Sequence, residues 1–128
     1  MGELLVIVSE KNDIVYQRMF NKVSDEEYCR FMIIVYGSID VLMEKMLSST
    51  TNYFASLDTY GDAKVSAYVM PSGYKLLFMH SRSDVKQFLD NAHKVFAGIL
   101  LKSAHSDVIA DNPDLNRSVD ELYSSYFV

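Results

Sequence analysis

The sequence predicts an α+β domain in which long helices pack against a five-stranded, mainly antiparallel sheet. Five short apolar runs bounded by turn residues predict strands, and segments with apolar residues every three or four positions predict helices. Their order is β-β-α-β-β-β-α-α, which favours one sheet with helices packed against it. The composition, 49% hydrophobic and 23% charged over residues 1–128, is that of one folded domain.

The N-terminal third predicts a β-hairpin followed by a long helix. Residues 3–9 form an apolar run that ends at the polar segment SEKND, and residues 14–20 return as a second strand. Ser24 and Glu27 have the spacing of a capping box, in which the serine oxygen accepts a hydrogen bond from a free backbone N–H. The first helix is therefore predicted over residues 25–48, before a run of serines and threonines.

The middle of the chain predicts three further strands joined by tight turns. Apolar and β-branched residues occupy 52–59, 64–70 and 73–81. The segments Tyr60-Gly61-Asp62 and Pro71-Ser72-Gly73 separate these strands and are typical turn sequences. Together they predict a β-meander.

Two helices are predicted at the C-terminal end. From Ser83 the apolar residues follow a helical period, which predicts a second long helix to about residue 104. Residues 111–118 are polar and contain proline, which favours a linker. Ser118 and Glu121 form another capping box, and a short third helix is expected to begin there.

Charge and cysteine content exclude several classes of protein. The net charge is −5 and the basic residues are scattered, so we expect no binding to nucleic acid. Cys29 is the only cysteine, and the N-terminus lacks the basic segment of a signal peptide. The longest apolar run, residues 31–36, is too short to span a bilayer. We therefore expect a cytoplasmic protein.

No motif indicates catalysis, a cofactor or a metal. His80, His93 and His105 lack the spacing of zinc ligands, and solvated or capping histidines are expected. Neither a GxGxxG nor a GxxxxGK[ST] phosphate-binding loop occurs. We expect a protein that is not an enzyme, with no cofactor-binding or metal-binding residues.

The first helix has more apolar surface than packing on one sheet requires. A helical wheel divides its apolar positions into two adjacent rows, only one of which can face the sheet. The first row consists of Phe31, Ile34, Val35, Ser38, Leu42 and Met46. The second row consists of Cys29, Met32, Ile33, Tyr36, Ile39, Met43 and Leu47, with Asp40 and Glu44 on its edge.

Two interpretations of the second row follow from the residues alone. The C-terminal segment could fold over this row and bury it within the chain. Alternatively, the row is an exposed patch that binds another protein, because contiguous exposed apolar area is typical of interaction sites. Methionine and tyrosine, both present in the row, are common in such surfaces.

Residues 31–81 contain the segments SIDVLMEKM, with the pair Ile39-Asp40, then YFASLD and KVSAYVMPSGYKLLFMHS. In these segments the chain resembles the sedlin-like small subunits of the TRAPP vesicle-tethering complex. This resemblance implies a longin-like fold, with one long helix on one face of the sheet and two C-terminal helices on the other. The region after the second long helix departs from the family's pattern, since Asn112-Pro113 is not followed by Phe-Tyr.

The resemblance implies a non-catalytic scaffold subunit in ER-to-Golgi vesicle trafficking. Such a subunit binds other TRAPP-type subunits, is linked indirectly to a Rab-type GTPase, and associates peripherally with ER and Golgi membranes through the complex. It favours the second interpretation, with a protein-interaction surface formed by the second row and Asp40. The alternatives are a longin regulatory domain or small adaptor subunit of a membrane coat, and a small-molecule sensor or enzyme that uses the open face of the sheet.

Overall fold

The predicted order of strands and helices is confirmed. The computed structural model describes residues 2–102, 109–110 and 112–127. The strands are β1 (Leu4–Val8), β2 (Ile14–Met19), β3 (Tyr53–Tyr60), β4 (Ala63–Val69) and β5 (Lys75–His80). The helices are α1 (Asp25–Ser48), α2 (Lys86–Lys102) and α3 (Pro113–Phe127).

All five strands form one antiparallel sheet in the order β2-β1-β5-β4-β3. β1 lies between the N-terminal hairpin and the meander, because it pairs with both β2 and β5. Val6, for example, is opposite Gln17 on one side and Leu77 on the other. β1 therefore joins the predicted hairpin and the predicted β-meander into one sheet.

The helices cover both faces of this sheet. Leu4 and Val6 of β1 belong to the core beneath α1, whereas Leu5 and Ile7 belong to the core beneath α2 and α3. Since alternate residues of a strand point to opposite faces, β1 is buried on both sides. This explains why its sequence is an unbroken apolar run. The arrangement is the longin-like α+β fold that the sequence predicts.

The start of α1 agrees with the predicted capping box. The Ser24 side-chain oxygen accepts a hydrogen bond from the Glu27 backbone N–H at 3.1 Å. Three acidic residues follow in the first turn, where they stabilise the positive end of the helix dipole. α1 therefore begins at a position defined by local sequence.

The predicted start of α3 was wrong. The helix begins at Pro113, so the segment before Ser118 is helical and not a linker. The Asn112 side chain accepts hydrogen bonds from the backbone N–H groups of Asp114 and Leu115, at 2.9 and 3.0 Å. Asn112 is thus the helix cap, and proline at the first helical position needs no N–H partner. Leu115 is fully buried, which fixes this additional turn against the core.

We expect Asn112→Ala to destabilise the fold by about 1 kcal/mol, because the first turn of α3 loses its cap. Ser118→Ala is the matched control, and it should change the free energy of unfolding by less than about 0.5 kcal/mol. Urea unfolding followed by circular dichroism measures both values. A larger loss of stability in Ser118→Ala than in Asn112→Ala would contradict the observed helix start.

Candidate protein-interaction surface

α1 packs on the sheet through the predicted first row. The members of this row are buried or half-buried: Phe31, Ile34, Val35, Ser38, Leu42 and Met46. The Ser38 hydroxyl donates a hydrogen bond to the Ile34 carbonyl at 2.9 Å, so its polar group is satisfied within the helix. The small Ser38 side chain is completely buried, as expected for a position close to the sheet.

Ile39 and Met32 are the two predicted interaction residues that are not exposed, and Ile39 is the more deeply buried. Its side chain is only 6% exposed and belongs to the core beneath α1. Ile39 follows Val35 by four residues, which turns it only about 40° around the helix. It therefore lies inside the stripe of roughly 100° that faces the sheet, and its assignment to the exposed row is corrected. Met32 is half-buried and packs against the same core.

The remaining six predicted residues lie on the solvent side of α1, and we call them the exposed α1 row. Its members are Cys29, Ile33, Tyr36, Asp40, Met43 and Leu47. The exposed fractions are 72% for Ile33, 53% for Tyr36, 38% for Met43 and 90% for Leu47. Four large apolar side chains on one helix face thus remain in contact with solvent.

The C-terminal helices do not cover this row. α2 and α3 pack together on the opposite face of the sheet, where Phe88, Phe96 and Leu115 line the second core. The interpretation in which the C-terminal segment buries the row within the chain is therefore wrong for α3. The described part of the C-terminal segment lies on the far side of the sheet from α1.

Tyr60 extends the surface beside the exposed α1 row. It lies at the end of β3 and is 46% exposed. Its hydroxyl is 4.0 Å from the place where Gly37, in the middle of α1, would carry a Cβ. Sequence reasoning did not identify Tyr60, because its position before the Gly61 turn gives no indication that β3 ends beside α1.

Acidic residues outnumber basic ones on the solvent side of α1. Asp40 and Glu44 lie next to each other on consecutive turns, and both are exposed. Arg30 pairs with Glu26 at 3.9 Å, an exposed contact that adds little stability. The exposed α1 row is thus apolar at its ends and negatively charged near its centre.

A second apolar feature lies on the other side of the molecule. A groove of about 390 Å³ separates the β4–β5 turn from the end of α2. Its lining includes Met70, Pro71, His93, Leu100 and the strongly exposed Leu101. The sequence gives no signal for this groove, because the groove depends on how α2 crosses the sheet.

A partly buried ion pair, Arg82–Glu3, links the sheet to α3 through Tyr123. Arg82 donates two hydrogen bonds to the Glu3 carboxylate, at 2.7 and 2.8 Å, and Tyr123 of α3 donates a third. The guanidinium of Arg82 also lies 4.1 Å from the centre of the Phe127 ring. Burial alone would raise the pKa of Glu3, but the hydrogen bonds from Arg82 and Tyr123 lower it.

His80 is buried beside this ion pair, so the expectation of a solvated histidine was wrong for it, whereas its ring does cap the backbone that follows β5. Its Nδ1 accepts a hydrogen bond from the Arg82 backbone N–H at 3.0 Å, and its Nε2 lies 2.9 Å from the Ser66 hydroxyl. Burial lowers the pKa of His80 to about 4. The ring is therefore neutral at pH 7. His105 lies outside the described residues.

The described residues contain no group of three or more histidine, cysteine or acidic side chains placed to hold a metal ion. Within the same residues, none of the helices combines the length and the apolar character that crossing a membrane requires.

Comparison with known proteins identifies the family. The sedlin family model matches residues 7–125, which is nearly the whole chain. The chain belongs to the sedlin family. It is also 27% identical over 71 residues to the "Transport protein particle 20 kDa subunit" of Schizosaccharomyces pombe. That match covers 53% of this chain and 52% of the relative, so the aligned region spans about half the length of each protein.

Replacing Ile39 by alanine should cost much more stability than the same substitution at Ile33. Ile39→Ala should destabilise the fold by about 3 kcal/mol, because it opens a cavity beneath α1. Ile33→Ala should change the free energy of unfolding by less than about 0.5 kcal/mol, since the side chain contacts solvent. Denaturant unfolding of both variants checks this difference. Equal losses would contradict the assignment of Ile33 to the exposed α1 row.

Stability should fall as the pH decreases from about 6.5 to 4. In this range the unfolded chain protonates His80, whose pKa in the folded state is about 4. The folded state keeps the ring neutral, so unfolding is accompanied by the uptake of a proton. The free energy of unfolding therefore decreases by roughly 2 to 3 kcal/mol. The lowered pKa of Glu3 gives a further loss toward lower pH.

Urea unfolding at a series of pH values measures this loss of stability. His80→Leu is the control, because it removes the titrating ring and should flatten the dependence between pH 6.5 and 4. An unchanged slope in this variant would show that other groups cause the acid sensitivity.

Proposed function

We propose that this sedlin-family protein is a non-catalytic scaffold subunit of a TRAPP-type complex in ER-to-Golgi vesicle trafficking. It binds other TRAPP-type subunits through the exposed α1 row. The assignment to such a complex is supported by membership of the sedlin family and by the similarity to a transport protein particle subunit. The single observation that supports the surface is the line of large apolar side chains left in solvent on α1.

The rigidity of this surface also supports a scaffold role. α1 is a continuous helix of 24 residues, and its opposite side is anchored to the sheet by buried residues such as Val35 and Leu42. The exposed α1 row is therefore presented in a fixed geometry before binding. A preorganised surface loses little conformational freedom when a partner docks.

The buried polar groups support a structural rather than a catalytic role. Glu3, Arg82 and Tyr123 are hydrogen-bonded to one another, and His80 is held neutral between two partners. A catalytic base or acid must reach a substrate, whereas Glu3, His80 and Tyr123 are buried and the half-buried Arg82 is paired with Glu3. Their arrangement stabilises the fold.

The link to a membrane and to a Rab-type GTPase is indirect in this proposal. The protein is cytoplasmic and lies at ER and Golgi membranes because the complex does. Asp40 and Glu44 make the centre of the exposed α1 row negative, which disfavours direct contact with anionic lipid headgroups. Contacts to the GTPase are assigned to other subunits.

Ile33→Asp and Tyr36→Asp should each leave the domain folded and abolish the recovery of TRAPP-type subunits. A charge at the centre of an apolar contact must be desolvated without a partner, which costs several kcal/mol of binding. Affinity purification with mass spectrometry from the native organism measures the recovery. Circular dichroism melting of the isolated variants measures folding.

Lys45→Asp is the matched control, because Lys45 is exposed on α1 but lies outside the row. It should retain the partners. The proposal fails if both row variants unfold or keep their partners. Recovery of membrane-coat subunits in place of TRAPP-type subunits would favour the coat-adaptor function instead.

A further inference from the structure

The exposed α1 row has the spacing of a coiled-coil seam. Its six members follow one another in steps of four, three, four, three and four residues, from Cys29 to Leu47. A seven-residue repeat of this kind keeps one line of side chains facing a second helix that lies alongside. The row extends for about 27 Å along the helix axis. All six side chains are exposed, so the complete seam is available.

The seam is separate from the contact between α1 and the sheet. Its centre lies about 120° around the helix from Val35, the middle of the sheet-facing side. A second helix could therefore pack along the seam without displacing any buried residue of α1. Of the intervening positions, Ile39 is buried in the core and Met32 is half-buried against it.

Asp40 occupies a core position at the middle of this seam. Among the described residues, no basic side chain forms an ion pair with Asp40 or with the neighbouring Glu44. A helix docked on the row would remove the Asp40 carboxylate from water, which is unfavourable unless a cation faces it. One polar residue at a core position also selects the partner and its register.

A second copy of this chain does not supply that cation. Parallel pairing of two exposed α1 rows places Asp40 opposite Asp40. Antiparallel pairing about the centre of the row places Asp40 opposite Tyr36. In both orientations the carboxylate stays without a basic partner, so the occupant has a different sequence.

Gly37 independently supports the close approach of a second helix to α1. It lies in the interior of α1, where glycine is less stable than alanine by about 1 kcal/mol. Within the described part of the chain no packing contact requires its missing side chain, since the nearest atom to an added Cβ is the Tyr60 hydroxyl at 4.0 Å. Glycine beside the seam would let the axis of another helix approach closely.

We propose that the exposed α1 row is one half of a helix–helix seam whose other half is a single helix of another TRAPP-type subunit. That helix carries apolar residues at heptad spacing and a lysine or arginine opposite Asp40. It lies along α1 at a shallow angle of roughly 20°, the geometry that heptad packing produces. This inference rests on the proposed function and adds the chemistry of the partner.

Site-specific cross-linking within the assembled complex tests the geometry. The full chain is co-expressed with the TRAPP-type subunits of its source organism, with a benzophenone amino acid at position 29, 36 or 47. Position 45, outside the row, is the control. The partner residues that become cross-linked should all lie on one helix of one subunit. Their spacing along that helix should match the spacing of positions 29, 36 and 47 along α1. Cross-links to strands or loops, or to a second copy of this chain, would overturn the proposal.

Reversing the charge of Asp40 tests whether a lysine or arginine of the partner faces it. Asp40→Asn should weaken binding about 10-fold and Asp40→Lys at least 100-fold, because an unpaired charge is then buried. The cross-links from positions 36 and 47 locate the partner residue that faces Asp40. Changing that lysine or arginine to glutamate should recover at least 10-fold of the affinity that Asp40→Lys loses. Isothermal titration calorimetry with the purified partner measures these values. No loss in Asp40→Lys, or no rescue, contradicts a cation opposite Asp40.

Gly37→Gln separates binding from folding. The substitution should raise the melting temperature of the isolated chain by about 3 °C, because helix propensity improves. The same change should weaken binding at least 10-fold, since the side chain obstructs the second helix. Unchanged affinity would show that no helix approaches at Gly37.

The two levels of the proposal fail in different ways. If the wild-type chain recovers no TRAPP-type subunit, the proposed function and the helix–helix seam both fail. If it recovers such a subunit but cross-links to a strand or loop of it, only the seam fails.

Discussion

The burial of β1 on both faces is the constraint on which the rest of the structure depends. β1 pairs with β2 and β5, so it joins the hairpin to the meander. Its alternate side chains, such as Val6 and Ile7, enter two different cores. Burying both faces requires a helical layer on each side, because a strand this apolar is unstable against water on either face.

This two-sided burial determines where the exposed apolar surface lies. Among the described helices, α1 is the one that covers one face of the sheet, and it uses the side that carries Phe31, Val35 and Leu42. α2 and α3 cover the other face and are held there partly by the Arg82–Glu3 ion pair and the Tyr123 hydroxyl. Since both C-terminal helices are engaged on the far side, the exposed α1 row has no intramolecular cover from them.

Most of the fold could be predicted from the sequence because its signals are local. The Ser24 cap, the unbroken apolar run of β1 and the turns at Gly61 and Gly73 each follow from a few neighbouring residues. The start of α3 could not be predicted from the same signals. The Ser118 capping box predicted a later start, but Asn112 caps the helix and the added turn is held by the buried Leu115.

The sequence by itself determined that α1 carries two apolar rows, because helical spacing is a property of the chain. Only the tertiary structure decided which residues of the second row meet solvent. Ile39 and Ile33 have the same side chain and lie on the same helix, yet one is buried and the other is 72% exposed. The difference arises from the angle at which α1 packs on the sheet and from the side on which α3 docks, and both depend on contacts between residues distant in sequence.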